Sequence, residues 1–133
     1  MIEAAKQNAP HCSFYVMDIE NLVFPPESFD GAWANCSLLH LPKRNILPVL
    51  QKIHAILKSR GSLYLSVKQS TIDESFEPDS RYGNLKKHWS FFESDELIQL
   101  LKSAKFQIVD VIVVNKESDY HTHSMIKILA EKQ

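Results

Sequence analysis

Apolar positions along the chain recur with two different spacings, which predict helices and strands in turn. Residues 2–8 have high helix propensity and stop before Pro10. From Ile46 to Leu57, and again after Ser94, apolar residues recur every three or four positions, as on one face of a helix. A period of two, or a short apolar run, predicts strands at residues 14–17, 30–35, 62–68, 106–114 and 123–132.

The order of these elements predicts an α/β fold. Strands that alternate with helices form a parallel sheet with right-handed crossovers. The last two strands are separated only by the turn "NKESDYH", so they should pair antiparallel. Residues 69–92 carry few periodic signals but many aromatic residues, and we predict a long loop there. This loop either covers a binding site as a lid or buries its rings to anchor itself to the core.

Composition limits the class of protein. A length of 133 residues indicates one domain. The net charge of -1 gives no basic field for nucleic acid, and no apolar run approaches the ~18 residues that cross a membrane. No basic or long apolar leader opens the chain, and Cys12 and Cys36 are too few for a disulfide framework, so we expect a cytoplasmic protein with reduced thiols. The three glycines lie too far apart for a glycine-rich phosphate loop.

Three stretches resemble the class I S-adenosylmethionine-dependent methyltransferases of the small-molecule type. They are "FDGAWANCSLLHL", "IHAILKSRGSLYLSV" and "WSFFESDELIQLLKSAKFQIVDV". The resemblance implies a doubly wound, Rossmann-like sheet, mostly parallel with an antiparallel last strand. It also implies that residues 1–133 form one partial domain, lacking the family's first two strands and the glycine-rich turn. The opening helix would then be the one that precedes the family's third strand.

The resemblance also implies a set of site residues. Five residues would line the cofactor: Met17, Asp18, Ile19, Asn35 and Cys36. In the family, an acidic residue at the position of Asp18 hydrogen-bonds the adenine amino group, and the next side chain packs on the adenine ring. The stretch at Asn35 lines the methionine part and the transferred methyl group. The alternatives are a turn aspartate and the polar end of a strand.

His40 would lie on the substrate side of the cleft. It would act there as a base or orient the substrate, or else it is simply a packed histidine. No spacing of histidine, cysteine or acidic residues predicts a metal site.

Two functions follow from this resemblance. The first is the C-terminal part of a small-molecule methyltransferase, which needs an N-terminal half to bind S-adenosylmethionine and to act. The second is a non-enzymatic interaction or oligomerisation module, or a decayed gene product that still folds. Without the family's first strands, residues 30–35 form a sheet edge with unpaired backbone groups. That edge would be covered by residues 14–17, by a second copy in a homo-oligomer, or by an N-terminal-half partner.

Two residues stand where the family commonly has glycine, namely Arg60 and Lys105. If either adopts a left-handed conformation, it costs about 1 kcal/mol relative to glycine.

Overall fold

A computed structural model describes residues 1–79, 85–116 and 123–133. The described helices are α1 (Ile2–Asn8), α2 (Lys43–Ile56) and α3 (Ser94–Ser103), with short 3-10 helices at Ile19–Asn21 and Leu38–His40. The strands are β1 (Phe29–Asn35), β2 (Leu57–Lys68), β3 (Glu74–Asp79), β4 (Leu85–Ser90), β5 (Phe106–Val114) and β6 (Met125–Lys132). Within these ranges, no helix is long and apolar enough to cross a membrane.

The main sheet has four strands in the order β1-β2-β6-β5. β1 pairs with β2 in parallel, while β6 pairs antiparallel with both β2 and β5. Strands β1, β2 and β5 therefore run in one direction, and only the last strand runs against them. This topology confirms the predicted α/β sheet, with its antiparallel last strand, and the antiparallel pairing of the two terminal strands.

One face of the sheet carries the core. Helix α2 buries one apolar stripe and α3 another, as the three-to-four-residue spacing of their sequences predicts. They cover the alternate residues of β2 and β6 that point to this face. The buried set includes Ile46, Val49, Leu50, Ile53, Leu63, Leu65, Val67, Leu97, Leu101, Ile126 and Ile128.

The opposite face of the sheet is open within the described residues. Trp33, Tyr64 and Leu129 lie side by side on β1, β2 and β6. The Trp33 and Tyr64 rings stack with centroids 3.9 Å apart, yet Trp33 is 73% exposed. An indole that is stacked on one side only leaves a large apolar surface in water, which commonly marks an interaction surface.

Residues 14–17 correct one prediction, because they do not form a strand. Their sequence suits a strand, but a strand exists only when it pairs, and here no neighbour offers a ladder. Val16 is 91% exposed and Tyr15 is 64% exposed. Strand β1 is consequently an edge of the described sheet, as predicted.

The interval 69–92 also differs from the predicted loop, because it contains β3 and β4. These two strands form an antiparallel hairpin in which Phe76 lies opposite His88, with ring centroids 4.9 Å apart. The hairpin leads into Phe91 and Phe92, which are both fully buried. Apolar and polar residues alternate only weakly in its strands, ESFEPD and LKKHWS, which made them hard to distinguish from a loop. The aromatic rings at its end do anchor it to the core.

Three backbone positions near the ends of helices are sterically special. Arg60 has φ 64° and Lys105 has φ 71°, so both residues that replace the family's glycines adopt the left-handed conformation. Inside β2, next to Arg60, a Cβ on Gly61 would lie 2.8 Å from the Lys58 carbonyl oxygen of the same strand. Only glycine fits there, because the backbone of β2 itself fills the space, and the Asp30 carbonyl oxygen of β1 would also lie 3.1 Å from such a Cβ.

Candidate functional site

Two adjacent parallel strands end side by side and create a polar cluster. Asn35, the last residue of β1, lies opposite Ser66 of β2. The buried Ser66 hydroxyl donates to Asn35 Oδ1 at 2.7 Å, and its oxygen accepts from the Cys36 backbone N–H at 3.1 Å. We call Asn35, Cys36 and Ser66 the carboxyl-end cluster. Ligands of open α/β sheets bind outside the carboxyl ends of the strands, where this cluster lies.

Cys36 turns the backbone away from the sheet. Its φ of 51° is left-handed, and its N–H bonds both the Ser66 carbonyl oxygen and the Ser66 hydroxyl, each at 3.1 Å. These two bonds hold a conformation that costs about 1 kcal/mol or more for a residue with a Cβ. Cys36 is a free, exposed cysteine. The cluster thus presents a fixed backbone bend and a thiol at the sheet's carboxyl edge.

Met17, Asp18 and Ile19 form a second group. Asp18 caps the 3-10 helix Ile19–Asn21 by accepting the Glu20 N–H at 2.9 Å, as a turn aspartate would. Met17 Sδ accepts the Val23 N–H at 3.5 Å, and Ile19 is half-buried against the core. This short helix is fastened to α2, and a pocket of about 270 Å³ lies there, lined by Glu20, Asn21, Asn45, Pro48 and Val49.

His40 belongs to a third group, near the end of β2. Its Nδ1 lies 3.2 Å from the His88 carbonyl oxygen, and since a carbonyl only accepts, Nδ1 carries the proton in this bond. Its ring is 4.6 Å from that of Trp89, and Lys68 Nζ lies 3.9 Å from the same indole. Lys68 is two residues beyond Ser66 and so points to the same face of β2. Along this strand, the His40 group adjoins the carboxyl-end cluster.

A lysine fixes the hairpin region beside this group. The Lys43 ammonium donates to Glu96 at 2.7 Å and to Asp73 at 3.0 Å, and the Lys43 backbone N–H donates to Glu74. Burial would lower the pKa of Lys43, but the hydrogen bonds to Glu96 and Asp73 outweigh it and the pKa is raised. Helices α2 and α3 and the start of the hairpin are joined through this one side chain.

Sequence reasoning missed Ser66, Lys68 and Trp89 as parts of the site. The available signal was a serine, Ser66, near the end of the apolar strand "SLYLSVK", where a buried hydroxyl needs a partner. Lys68 and Trp89 are 21 positions apart in sequence, and only the hairpin brings them together. In the described parts of the chain, no cluster of three or more histidine, cysteine or acidic residues has the geometry of a metal site.

The comparisons with known proteins agree with this architecture. Residues 1–61 match the family model of the methyltransferase domain. Among curated proteins, no sequence matches this chain. The resemblance to class I S-adenosylmethionine-dependent methyltransferases is thereby confirmed, by family sequence over residues 1–61 and by fold over the sheet described above.

Three solved structures illustrate the shared fold. A methyltransferase from Methanosarcina mazei is 21% identical with a TM-score of 0.77, and the match covers 90% of this chain and 66% of that one. The 1,6-didemethyltoxoflavin-N1-methyltransferase of Burkholderia thailandensis, solved with S-adenosylhomocysteine, is 23% identical with a TM-score of 0.77. A Listeria monocytogenes structure assigned to the same class is 20% identical with a TM-score of 0.80.

This chain matches only part of each relative. The match to the Burkholderia structure covers 99% of this chain but 56% of that one. The match to the Listeria structure covers 100% of this chain but 76% of that one. The relatives therefore contain further polypeptide with no counterpart in these 133 residues.

Proposed function

We propose that this chain provides one part of a site for S-adenosylmethionine-dependent methyl transfer to a small molecule. The observation that carries the proposal is the carboxyl-end cluster. Its three residues meet where two parallel strands end together, in a fold shared with methyltransferases. The free thiols of Cys12 and Cys36 support a cytoplasmic location for this function.

The residues present fit one side of the cofactor. Asn35 and the bent backbone at Cys36 would hold the methionine part, while Asp18 and Ile19, with Met17, would hold the adenine part. Asp18, which caps the short helix, has one carboxylate oxygen engaged by the Glu20 N–H, and in this proposal its other oxygen accepts from the adenine amino group. The bound cofactor supplies an electrophilic methyl group on a sulfonium.

In this proposal His40 handles the acceptor's proton. With Nδ1–H donated to the His88 carbonyl, a neutral imidazole has its lone pair on Nε2. In this proposal Nε2 takes the proton that the acceptor's O–H or N–H loses as it becomes methylated. Trp89 packs against the imidazole, with the two ring planes tilted by 57°.

In this proposal, additional polypeptide holds the other side of the cofactor. A glycine-rich turn lets backbone approach the cofactor, and Gly31, Gly61 and Gly83 are too far apart to form one. The unpaired edge of β1 is the place where such a segment would add a strand. That same edge supports the second candidate function, an interaction module without catalysis.

Calorimetric titration with S-adenosylhomocysteine tests the proposal. The chain is titrated alone and again after fusion to the part of the Listeria protein that has no counterpart here. We expect no measurable heat from the chain alone and micromolar binding by the fusion. Tight binding by the chain alone would overturn the need for further polypeptide, and no binding by the fusion would overturn the methyltransferase site.

A matched pair of variants locates the site. Ser66→Ala removes the bonds to Asn35 and Cys36, whereas Ser62→Ala removes an exposed hydroxyl from the same face of β2. In the fusion, we expect S66A to weaken cofactor binding roughly tenfold, the equivalent of one or two hydrogen bonds. S62A should bind as the parent does, and equal effects of the two variants would place the cofactor elsewhere.

A further inference from the structure

Strand β1 has an unused side. Within the described residues it pairs only with β2, and its other edge faces no strand. Half of an edge strand's N–H and C=O groups point outward and accept another strand readily. The exposed Trp33 lies in the second half of this edge strand, and Phe29, at its start, is 36% exposed.

A second stretch of the same chain, residues 14–17, could form a strand but has none to pair with. Its sequence is strand-forming, and Val16 is almost completely exposed, while Tyr15 is partly covered by the Phe24 ring. The 3-10 helix that follows these residues is hydrogen-bonded to α2. Asn45 Nδ2 donates to Glu20 Oε1 at 2.7 Å, and Lys52 Nζ donates to the Glu20 carbonyl oxygen. This fastening to α2 holds the segment in a position where it does not pair with β1 of its own chain.

We propose that two copies of this chain exchange these segments, so that residues 14–17 of each copy add a strand to β1 of the other. The inference goes beyond the proposed function, and it needs neither cofactor nor substrate. Each copy then gives one unpaired strand and receives another. Reciprocal pairing of this kind closes as a two-fold dimer in which both β1 edges are occupied.

The alternation of side chains fits the exchange. On β1, Ala34 is buried and Ala32 half-buried on the core face, while Trp33 points to the open face. Residues 14–17 alternate in the same way, so Phe14 and Val16 extend the core face when Tyr15 lies beside Trp33. Aromatic cross-strand pairs are among the stabilising ones in sheets.

The other edge of the sheet does not offer the same site. Strand β5 has a bulge between Ile108 and Asp110, and the Asp110 side chain is exposed. Bulges and charges are the features with which edge strands resist pairing. We therefore assign the exchanged strand to the edge at β1 and not to the edge at β5.

Analytical ultracentrifugation of the full chain tests the proposal, with a matched pair of valine variants. Val16 is 91% exposed inside the segment, and Val23 is 77% exposed outside it. Two strand pairs of four residues each make a small interface and therefore a weak dimer. We expect the parent chain to dimerise as its concentration rises from ~10 to ~500 μM. Val16→Asp should remain monomeric throughout, and Val23→Asp should dimerise as the parent does, both with an unchanged circular dichroism spectrum.

The remaining outcomes contradict the exchange. A parent chain that stays monomeric at the highest concentration overturns it, as does a V16D dimer of undiminished affinity. Loss of the dimer in V23D as well would indicate non-specific hydrophobic association. Formation of an open-ended polymer would exclude reciprocal pairing. A synthetic peptide of residues 11–18 should also dissociate the parent dimer by occupying β1, and failure to do so in excess counts against the proposal.

Discussion

The Nζ atom of Lys132 donates a hydrogen bond to the main-chain oxygen of His54 at 2.8 Å. The same ammonium reaches the Leu57 carbonyl oxygen, also at 2.8 Å. The last carbonyls of a helix have no partner within it, and a cation at this end also interacts favourably with the helix dipole. A residue at the end of β6 thus caps α2, which joins the last strand to the central helix.

Replacing Lys132 by methionine should destabilise the protein. The variant keeps the apolar stem but leaves two half-buried carbonyls without their charged donor, a loss of about 1.5–3 kcal/mol in the free energy of unfolding. Urea denaturation measures the loss. Lys127→Met, on the same strand but facing the open side of the sheet, is the control and should change stability by less than ~0.5 kcal/mol. Equal losses would show that Lys132 does not cap the helix.

His54 should make the protein less stable in mild acid. Burial lowers its pKa below the usual 6.5, and the nearby Lys132 charge lowers it further, against a hydrogen bond with the Lys105 backbone. The unfolded chain therefore binds the proton more readily than the folded protein. Above pH ~6.5 the His54 side chain is neutral in both the folded and the unfolded state, so it leaves stability unchanged. Below that pH the unfolded chain takes up the proton more readily, and the free energy of unfolding falls.

The matching variant is His54→Asn, which cannot titrate. Between pH ~7.5 and pH ~5.5, this variant should lose less of its free energy of unfolding than the parent does, as measured by denaturation at both pH values. His11→Asn, at an exposed position, serves as the control and should retain the parent's loss. An H54N variant with the full acid loss would assign the effect to other groups.

Lys43 should contribute more to stability than an exposed ion pair. Its side chain is 17% exposed and bonds Glu96 at 2.7 Å, whereas Lys6 and Glu3 lie 3.9 Å apart with both side chains largely in water. We expect Lys43→Met to lose about 1–3 kcal/mol, because Glu96 keeps its charge without its partner. Lys6→Met should lose less than ~0.5 kcal/mol. Thermal unfolding of the two variants compares them directly, and similar losses would mean that the Lys43 network is only a surface pair.

Lys105→Gly should stabilise the protein. Lys105 has a left-handed backbone, which glycine adopts without a Cβ clash, so we expect a gain of up to ~1 kcal/mol. Lys102→Gly, in the last turn of α3, should instead lose about 1 kcal/mol. Chemical denaturation measures both changes. A less stable K105G variant would show that the lysine side chain does more than tolerate this conformation.

The elements with strong periodic patterns were predictable from the sequence. Helix α2 and the strands of the main sheet follow from the spacing of residues such as Ile46, Val49 and Leu65. Residues 14–17 have an equally good strand pattern, yet they form none, because pairing depends on a neighbour that local sequence does not describe. The hairpin β3–β4 was missed for the opposite reason. Its two strands are near each other in sequence and do pair, but apolar and polar residues alternate only weakly along them.

The candidate site was predictable only through resemblance. Asn35 and Cys36 could be named because the family places its cofactor there, whereas the bonds that shape the cluster come from Ser66, 31 positions beyond Asn35. The register of β1 against β2 brings these residues together. The same holds for His40, whose contacts with His88 and Trp89 depend on the position of the hairpin.

The most direct test of the central claim is an amide NMR titration of the Listeria fusion with S-adenosylhomocysteine. The claim is that the carboxyl-end cluster holds the cofactor once the further polypeptide of the Listeria protein is supplied. The largest shifts are then expected at Asn35, Cys36 and Ser66, with Ser62 and Val109 unmoved. Binding that leaves the three cluster amides unchanged, or a folded fusion that binds nothing, would contradict the claim.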